Sequence, residues 1–219
     1  MDNLPVIRHL NEGRPLPITR DVTFFVGENG TGKSTLLEAV AVACGFNPEG
    51  GTKNFNFSTK DSHSGLFEEL IVVKKKYPKT GFFLRAESFY NTASYIDEMG
   101  IAKHYGGDSL HAQSHGESFM SLFQSFGGDG IYILDEPEAA LSPLRLMALI
   151  AEINNLVKQN SQFIIATHSP MLLAFPGAQI YKLSEDGIEP VAYKDTEHYI
   201  ITRQFLENPE KMLRHLLED

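Results

Sequence analysis

The amino-acid sequence predicts an α/β fold built on a mainly parallel sheet. Short apolar runs of strand length alternate with segments whose apolar residues recur at spacings of three and four, as on one face of a helix. A glycine-rich loop joins the first of these strands to the first helix. Strands that alternate with helices in this way form parallel sheets covered by helices.

The first strand and the first helix flank that loop. The run "TFFV", Thr23 to Val26, ends in a glycine and predicts a buried strand. Helical spacing of apolar residues predicts a helix within Thr31 to Cys44, and Gly45 ends it. A second strand is predicted within "GFFLRAES", Gly81 to Ser88. The rest of Phe46 to Leu110 is irregular, and its "GLFEELIVVKKK" is compatible with a helix or a strand.

The C-terminal half continues the alternation. Ser142 and Pro143 are typical of an N-cap and a first helical turn, so a long helix is predicted to begin there. Further strands are predicted at Ile131 to Leu134, at Phe163 to Thr167, and in a hairpin within Gln179 to Tyr193. Further helices are predicted at Phe119 to Phe126 and, amphipathic, at His198 to Glu218.

Length and composition indicate one domain. The chain has 219 residues, of which 42% are hydrophobic and 21% charged, as in ordinary globular domains. No apolar run reaches the roughly 18 residues needed to cross a bilayer, and the N-terminus does not resemble a secretory signal. The single cysteine, Cys44, excludes an intrachain disulfide and is typical of a reducing compartment. We therefore expect a cytoplasmic protein that does not insert into a membrane.

The net charge argues against broad binding to nucleic acid. It is −9 at pH 7, whereas nucleic-acid-binding domains are usually basic. The run "VKKKYPK", Val73 to Lys79, is the only basic candidate, and short lysine runs are more often a solvated face or turn.

The loop "GENGTGKST" fits the phosphate-binding pattern G-x-x-x-x-G-K-[ST] in its required place between a strand and a helix. Glycines allow backbone N–H groups to surround phosphates, and the helix N-terminus adds positive potential. Lys33 is expected to neutralise β- and γ-phosphate charge, and Ser34 to place its hydroxyl on Mg²⁺. The predicted nucleotide-binding residues are Gly27, Glu28, Asn29, Gly30, Thr31, Gly32, Lys33, Ser34 and Thr35. The alternative, a glycine-rich turn with a surface lysine, does not account for the flanking strand and helix.

Two carboxylates follow the strand at "IYILDEP". Asp135 and Glu136 come at its carboxyl end, where open α/β sheets bind ligands. Asp135 can hold Mg²⁺, and Glu136 is expected to point away from it, because strand residues alternate in direction, and to polarise an attacking water. The alternative is an acidic pair that caps the following helix.

His168 follows the strand at "FIIAT". A histidine at that position can contact a γ-phosphate from the side, so we predict a catalytic role for it together with Lys33 and Glu136. Taken alone, a histidine at a strand end is more often structural.

The polar stretch "SLHAQSHGESF" precedes a predicted helix. With the phosphate loop, the carboxylate pair and the later histidine, the chain resembles the ABC-type ATPase superfamily, whose signature loop L-S-G-G-Q occupies this place. Ser114 falls on the signature serine and Gly116 on its second glycine, whereas Gln113, His115 and Glu117 depart from it. The resemblance implies that Ser114 and Gly116 bind the γ-phosphate held by another subunit. A zinc site formed by His104, His111 and His115 is disfavoured, because no cysteine lies near them.

Other family elements are less clear. "PEAALSP", Pro137 to Pro143, resembles the loop that contacts the partner in ABC dimers. Glu87 or Arg85 stands where the family has its Q-loop glutamine, which makes Glu87 a third candidate ligand for the metal. Arg8 or Ile18 is a candidate for contact with the adenine.

The resemblance is closest to stand-alone bacterial ATPases related to the SMC and OLD-type branch. It implies one ATPase domain over residues 1–219, with a nucleotide-binding core at 1–88 and 127–219 and a compact helical signature lobe at about 89–126. It also implies Mg²⁺-dependent ATP binding and hydrolysis by a homodimer that closes head to tail on ATP and acts on a client. A transporter subunit, a nucleic-acid maintenance or defence ATPase and a small-molecule kinase are the alternatives, and the kinase is disfavoured by the Asp-Glu pair.

Overall fold

A computed structural model describes residues 7, 9–10, 13, 15–52, 65–86, 89–98 and 114–217. Six strands form one sheet in the order β2-β3-β4-β1-β5-β6. They are β1 (Val22–Val26), β2 (Thr80–Arg85), β3 (Gly130–Asp135), β4 (Gln162–Ala166), β5 (Gln179–Ser184) and β6 (Gly187–Pro190). All neighbouring strands pair in parallel except β5 and β6, which form an antiparallel hairpin. The predicted mainly parallel α/β fold is confirmed.

Helices cover the sheet and extend beyond it. They are α1 (Lys33–Ala43), α2 (Leu66–Glu69), α3 (Phe89–Glu98), α4 (His115–Gln124), α5 (Pro143–Lys158), α6 (Pro170–Leu173), α7 (Glu197–Glu207) and α8 (Pro209–Leu217). Short 3₁₀ turns lie at Pro137–Ala140 and Tyr193–Asp195. Within the ambiguous lysine-rich segment, only Leu66–Glu69 is helical, and residues 70–79 form no regular element.

Two helix ends follow directly from local sequence. Ser142 caps α5 by accepting a hydrogen bond from the Arg145 backbone N–H, and Pro143 occupies the first turn, as predicted. The C-terminal tail is helical as predicted, but it is divided into α7 and α8 at Asn208. Pro209 has no backbone N–H and disfavours a helical conformation of the residue before it, so α8 begins anew at the proline.

Both faces of the sheet are buried, as is usual for parallel sheets. Phe24 packs into the core on one face of β1, and its neighbour Phe25 packs into the core on the opposite face. Helix α1 covers the face of Phe25, whereas α3, α4 and α5 cover the other. The described parts of the predicted signature lobe contribute Phe89 and Phe119, whose ring centroids lie 5.6 Å apart, to this second core. The division into a core and a lobe stays a prediction.

The strand order brings four strand ends to one edge of the sheet. Arg85 at the end of β2 pairs in register with Asp135 at the end of β3, and Asp135 pairs with Ala166 at the end of β4. β1 lies next to β4, so the loop that follows Val26 opens at the same edge. No helix in the described ranges is long and apolar enough to cross a membrane.

Candidate nucleotide-binding site

The phosphate loop connects β1 to α1 through glycines in conformations that other residues rarely adopt. Gly27, Gly30 and Gly32 have φ angles of 148°, 86° and 94°. A Cβ on Gly27 would collide with the backbone oxygen of Leu183 in β5, so only glycine fits there. Helix α1 begins directly after Gly32 and presents its N-terminus to the loop, which favours binding of an anion.

Lys33 lies folded over this loop. Its side chain is buried, and Nζ donates hydrogen bonds to the backbone oxygens of Gly27 at 2.7 Å and Glu28 at 3.0 Å. Burial lowers the pKa of Lys33, whereas the carboxylates of Glu136, Asp135 and Glu138 oppose that shift. The ammonium group is therefore held above the loop by two neutral carbonyl oxygens, which an anionic phosphate could replace.

Ser34 and Asp135 meet at the base of the site. Ser34 Oγ donates to Asp135 Oδ1 at 3.1 Å, although 101 residues separate the two along the chain. Asp135 is buried, at 7% exposure. A hydroxyl and a carboxylate beside a phosphate loop are the oxygen ligands that Mg²⁺ prefers, so the residues present fit this metal.

Arg85, one of the two Q-loop candidates, lies beside two carboxylates at the edge of the site. Its Nη1 pairs with Glu38 Oε2 of α1 at 2.8 Å, and its Nε lies 3.8 Å from Asp135 Oδ2. The guanidinium therefore joins α1 to the end of β3 next to the predicted metal ligand. The other candidate, Glu87, lies outside the described residues, so its role as a metal ligand stays a prediction.

The prediction that strand alternation sets the direction of the Glu136 side chain is wrong. β3 ends at Asp135, and Glu136 adopts a left-handed conformation with φ 52° and ψ 50°. Its backbone N–H donates to Ala166 O at 3.0 Å. A non-glycine residue in this conformation costs roughly 1–3 kcal/mol and is typical of functional sites. The turn places Glu136 Oε1 3.5 Å from His168 Nε2.

His168 has two further partners. Its backbone N–H donates to Glu138 Oε1 at 2.6 Å, and its Nδ1 lies 3.0 Å from His198 Nε2. His198 belongs to α7 and was missed by sequence reasoning. The sequence shows only that a histidine stands near the start of a predicted amphipathic helix. Nothing in the sequence connects that helix to the strand end before His168.

A cavity of about 570 Å³ opens over the phosphate loop. Gly27, Glu28 and Asn29 line one side, and His168 with the first turns of α7 lines the other. Its volume is in the usual range for small-molecule sites. Helix α7, which follows the hairpin of β5 and β6, is thus part of the wall of the site. Thr35, also predicted to bind nucleotide, lies within α1.

The Ser-x-Gly stretch lies at the start of α4. Ser114 is the N-cap, and Glu117 Oε2 accepts hydrogen bonds from its backbone N–H at 3.0 Å and from its hydroxyl at 2.6 Å. These bonds lower the pKa of Glu117. Arg145 of α5 completes the group, with Nη2 3.1 Å from Glu117 Oε1 and Nη1 3.3 Å from Ser114 Oγ. The described contacts of Ser114 therefore join it to α4 and α5, not to the phosphate loop of its own chain.

Gly116 is buried under Arg145. A Cβ at this position would meet the Arg145 side chain and would lie 3.0 Å from the backbone oxygen of Ala140. Ala140 ends the 3₁₀ turn within the predicted dimer-contact loop. The stretch that resembles a signature loop and the stretch that resembles a dimer-contact loop are therefore neighbours in the fold.

Most of the remaining predicted contacts lie outside the described residues. Ile18 is half-buried against the core on the α1 face, and its backbone oxygen accepts from Gln162 Nε2 at 3.1 Å. Arg8, Gln113, His104 and His111 lie outside the described residues, as does the His115 side chain. Within the part of the chain that is described, no group of three His, Cys, Asp or Glu side chains could hold a metal ion.

Two family models match the chain. A model described as "AAA domain" matches residues 8–94, which include the phosphate loop. A model described as "AAA domain, putative AbiEii toxin, Type IV TA system" matches residues 118–174, which include Asp135, Glu136 and His168. A search of curated proteins found no match.

Solved structures with similarity to the chain include ATP-binding cassettes and an SMC head. The cbiO1 part of the ABC transporter complex cbiONQ from Clostridium perfringens is 20% identical over 93% of this chain and 90% of that one, with a TM-score of 0.46. The SMC head domain from Thermotoga maritima is 16% identical over 80% of this chain and 92% of that one, also at 0.46. A dimeric bacterial ABC transporter cassette, MJ0796, is 15% identical over 80% and 86%, at 0.44.

Proposed function

We propose that this chain is a P-loop NTPase of the ABC/SMC-like type that binds ATP and hydrolyses it to ADP and phosphate, and the two matching AAA-domain models support the proposal. One observation carries the proposal. The Ser34–Asp135 contact at 3.1 Å and the Glu136–His168 contact at 3.5 Å lie at the same sheet edge as the phosphate loop. These are the positions at which phosphoryl transfer needs metal ligands, a residue that orients water and a donor to the γ-phosphate.

Binding rests on the loop and on Lys33. Backbone N–H groups of Gly27 to Thr35 and the N-terminus of α1 receive the phosphates. Lys33 leaves the oxygens of Gly27 and Glu28 and donates to the β- and γ-phosphates instead. Its burial makes this exchange favourable, since a poorly solvated ammonium gains an anionic partner.

Ser34 and Asp135 would hold a magnesium ion. When bound, that ion supplies positive charge that stabilises the triphosphate and the charge of the leaving diphosphate. Ser34 Oγ and Asp135 Oδ1 already lie 3.1 Å apart, so both can turn their oxygens to one cation without a change of fold.

Glu136 and His168 act on the transferred group. The Glu136 carboxylate accepts a hydrogen bond from the attacking water and orients its oxygen toward the γ-phosphorus. As the new P–O bond forms, the bond between that phosphorus and the bridging oxygen breaks, and the proton of the water passes to the Glu136 carboxylate or to phosphate oxygen. His168 donates from Nε2 to a γ-phosphate oxygen, the direction in which Glu136 lies at 3.5 Å.

A second chain completes the site in this proposal. By the family resemblance, Ser114 and Gly116 face the γ-phosphate bound by the partner, so two chains close head to tail on two ATP molecules. Arg145 lies beside Ser114 Oγ at 3.3 Å and adds positive charge to that surface. Glu117 accepts hydrogen bonds from the same serine, so the carboxylate must move or share its donors when phosphate arrives. Hydrolysis then removes the bridging phosphate and opens the dimer.

In this proposal the protein is cytoplasmic and acts on a client molecule. A transporter's nucleotide-binding subunit and a nucleic-acid maintenance or defence ATPase would use the same site. Stimulation of hydrolysis by DNA or RNA, or copurification with a membrane protein, distinguishes these roles from each other.

Phosphate release and light scattering after gel filtration test the proposal. We expect Mg²⁺-dependent ATP hydrolysis by the wild type, ATP binding without hydrolysis by Glu136→Gln, and no binding by Lys33→Ala. With Mg·ATP, Glu136→Gln should form a dimer that Ser114→Arg abolishes. Glu210→Gln removes an exposed carboxylate of α8 and serves as the matched control, which should behave as wild type. Hydrolysis that is equal in Glu136→Gln and wild type would show that the catalytic assignment is wrong.

A further inference from the structure

His168 lies between a carboxylate and a second histidine. On one side its Nε2 is 3.5 Å from Glu136 Oε1, and on the other its Nδ1 is 3.0 Å from His198 Nε2. The second distance is that of a hydrogen bond between ring nitrogens. The two rings therefore form a short chain that starts at α7 and ends at the carboxylate beside the phosphate loop.

The chemistry of the three groups determines where the hydrogens lie. A neutral imidazole carries one N–H donor and one lone pair, and an ionised carboxylate only accepts. The contact with Glu136 is attractive only when His168 Nε2 carries the hydrogen, which leaves a lone pair on His168 Nδ1. His198 Nε2 must then be the donor to His168 Nδ1.

The unpaired ring nitrogens do not by themselves select this assignment. His168 Nε2 and His198 Nδ1 are both buried without a hydrogen-bond partner among the described residues, so either arrangement leaves one buried N–H without such a partner. The Glu136 carboxylate decides between them, because its Oε1 lies 3.5 Å from His168 Nε2, and an N–H directed at an anion is favoured over a lone pair. The hydrogen therefore lies on His168 Nε2, and His198 Nδ1 holds a lone pair.

His198 is held in place by the start of α7. Thr196, which is 2% exposed, caps this helix by accepting from the Tyr199 backbone N–H at 3.3 Å. Lys182 of β5 pairs with Glu197 at 2.7 Å and joins the same turn to the sheet. His198 thus reaches His168 from a helix end that is anchored on both sides.

We propose that His198 is a positioning residue that holds His168 in the tautomer with hydrogen on Nε2. In that form His168 can donate to the γ-phosphate, whereas the other tautomer would direct a lone pair at an anion. The inference rests on the proposed ATPase function for its consequence in catalysis, but the tautomer itself is a property of the nucleotide-free protein. It also makes α7 a direct participant in the organisation of the site.

Nitrogen NMR on the nucleotide-free protein tests the tautomer without any activity. In protein labelled with ¹⁵N-histidine, at a pH where histidines are neutral, His168 should show a protonated Nε2 and an unprotonated Nδ1. Its signals are assigned by their loss in His168→Gln. A protonated Nδ1, or hydrogens on both nitrogens, in the wild type would overturn the proposal.

Variants of His198 test whether this residue causes the preference of His168 for the Nε2 tautomer. His198→Ala should leave His168 in a mixture of both tautomers, whereas His198→Gln offers an amide N–H to His168 Nδ1 and should keep the Nε2 form. We expect kcat for ATP to fall roughly 10–100-fold in His198→Ala, with KM little changed, and to recover largely in His198→Gln. Gln204→Ala, at an exposed position of the same helix, is the control and should change neither the His168 spectrum nor kcat.

The outcomes separate this inference from the proposed function. Equal kcat in His198→Ala and His198→Gln, or an unchanged His168 spectrum in His198→Ala, would refute the role of His198. A wild type that shows the expected tautomer but neither binds nor hydrolyses ATP would refute the proposed function and leave the positioning role intact.

Discussion

The Glu138 carboxylate accepts a 2.6 Å hydrogen bond from the backbone N–H of His168. This bond joins the 3₁₀ turn after β3 to the segment after β4, so the two sides of the catalytic edge are held by one carboxylate. Because the acceptor is a carboxylate oxygen and the bond is short, it belongs to the stronger class of hydrogen bonds. The position of the His168 backbone therefore depends on a residue within the predicted dimer-contact loop.

Removal of this carboxylate should loosen His168. Glu138→Ala leaves the backbone N–H without its partner, which typically costs about 1.5–3 kcal/mol of stability for a bond to a charged group. We expect a lower midpoint of denaturant unfolding and a kcat reduced more than the affinity for ATP. Glu138→Gln keeps an oxygen acceptor and should retain most of both. If Glu138→Ala hydrolysed ATP like the wild type, the bond would have no part in positioning His168.

Substitution of Ser34 should affect metal dependence before it affects nucleotide affinity. Ser34→Ala removes the hydroxyl that lies 3.1 Å from Asp135 Oδ1 and leaves the loop glycines and Lys33 unchanged. Titration of a fluorescent ATP analogue should show a higher Mg²⁺ concentration for half-maximal binding, with similar binding in excess EDTA. Ser142→Ala is the matched control, since it removes a helix-capping hydroxyl of α5 and should cost up to about 1 kcal/mol of stability without changing Mg²⁺ dependence.

Neutralisation of Glu117 should favour the ATP-bound dimer. Its carboxylate occupies the Ser114 hydroxyl and backbone N–H, the donors that the partner's phosphate would need. In Glu117→Gln the repulsion between this carboxylate and the phosphate is gone, and the sequence moves closer to the family signature. Sedimentation of Glu136→Gln with and without the added Glu117→Gln change, in Mg·ATP, should show a lower dimer Kd for the double variant. A weaker dimer would mean that Ser114 does not face phosphate in trans.

The stability of the protein should fall below neutral pH because of His198. Burial, and then the neighbouring His168 and Lys33, lower its pKa from the ordinary 6.5, while Glu197 opposes the shift. The unfolded chain then binds a proton that the folded chain does not, so this contribution is present above pH 6.5 and is lost as the pH falls below it. Denaturant unfolding of the wild type and of His198→Gln between pH 8 and pH 5.5 should show a steeper loss for the wild type. Parallel curves would contradict the prediction.

Local sequence patterns are sufficient to predict the strands of the sheet and the residues at their carboxyl ends. The strands were readable because a parallel sheet buries both faces and leaves continuous apolar runs. The predicted site residues each follow such a run, either at a strand end or in the loop that opens a helix. They are Lys33, Ser34, Asp135, Glu136 and His168. Their meeting followed from one rule, that parallel strands present their carboxyl ends at the same edge.

The contacts that refine the site depend on distances that no local pattern encodes. His198 meets His168 only because β5 lies beside β1 in the sheet. This strand order places the β5–β6 hairpin and the following helix α7 next to the phosphate loop. Arg85 reaches Glu38 across the sheet edge, and Arg145 reaches Ser114 from another helix. The sequence alone therefore indicates the fold and the residues at the strand ends, because these follow from short-range periodicity. The pairing of side chains from distant elements follows from strand order and packing, which form only when the whole chain folds.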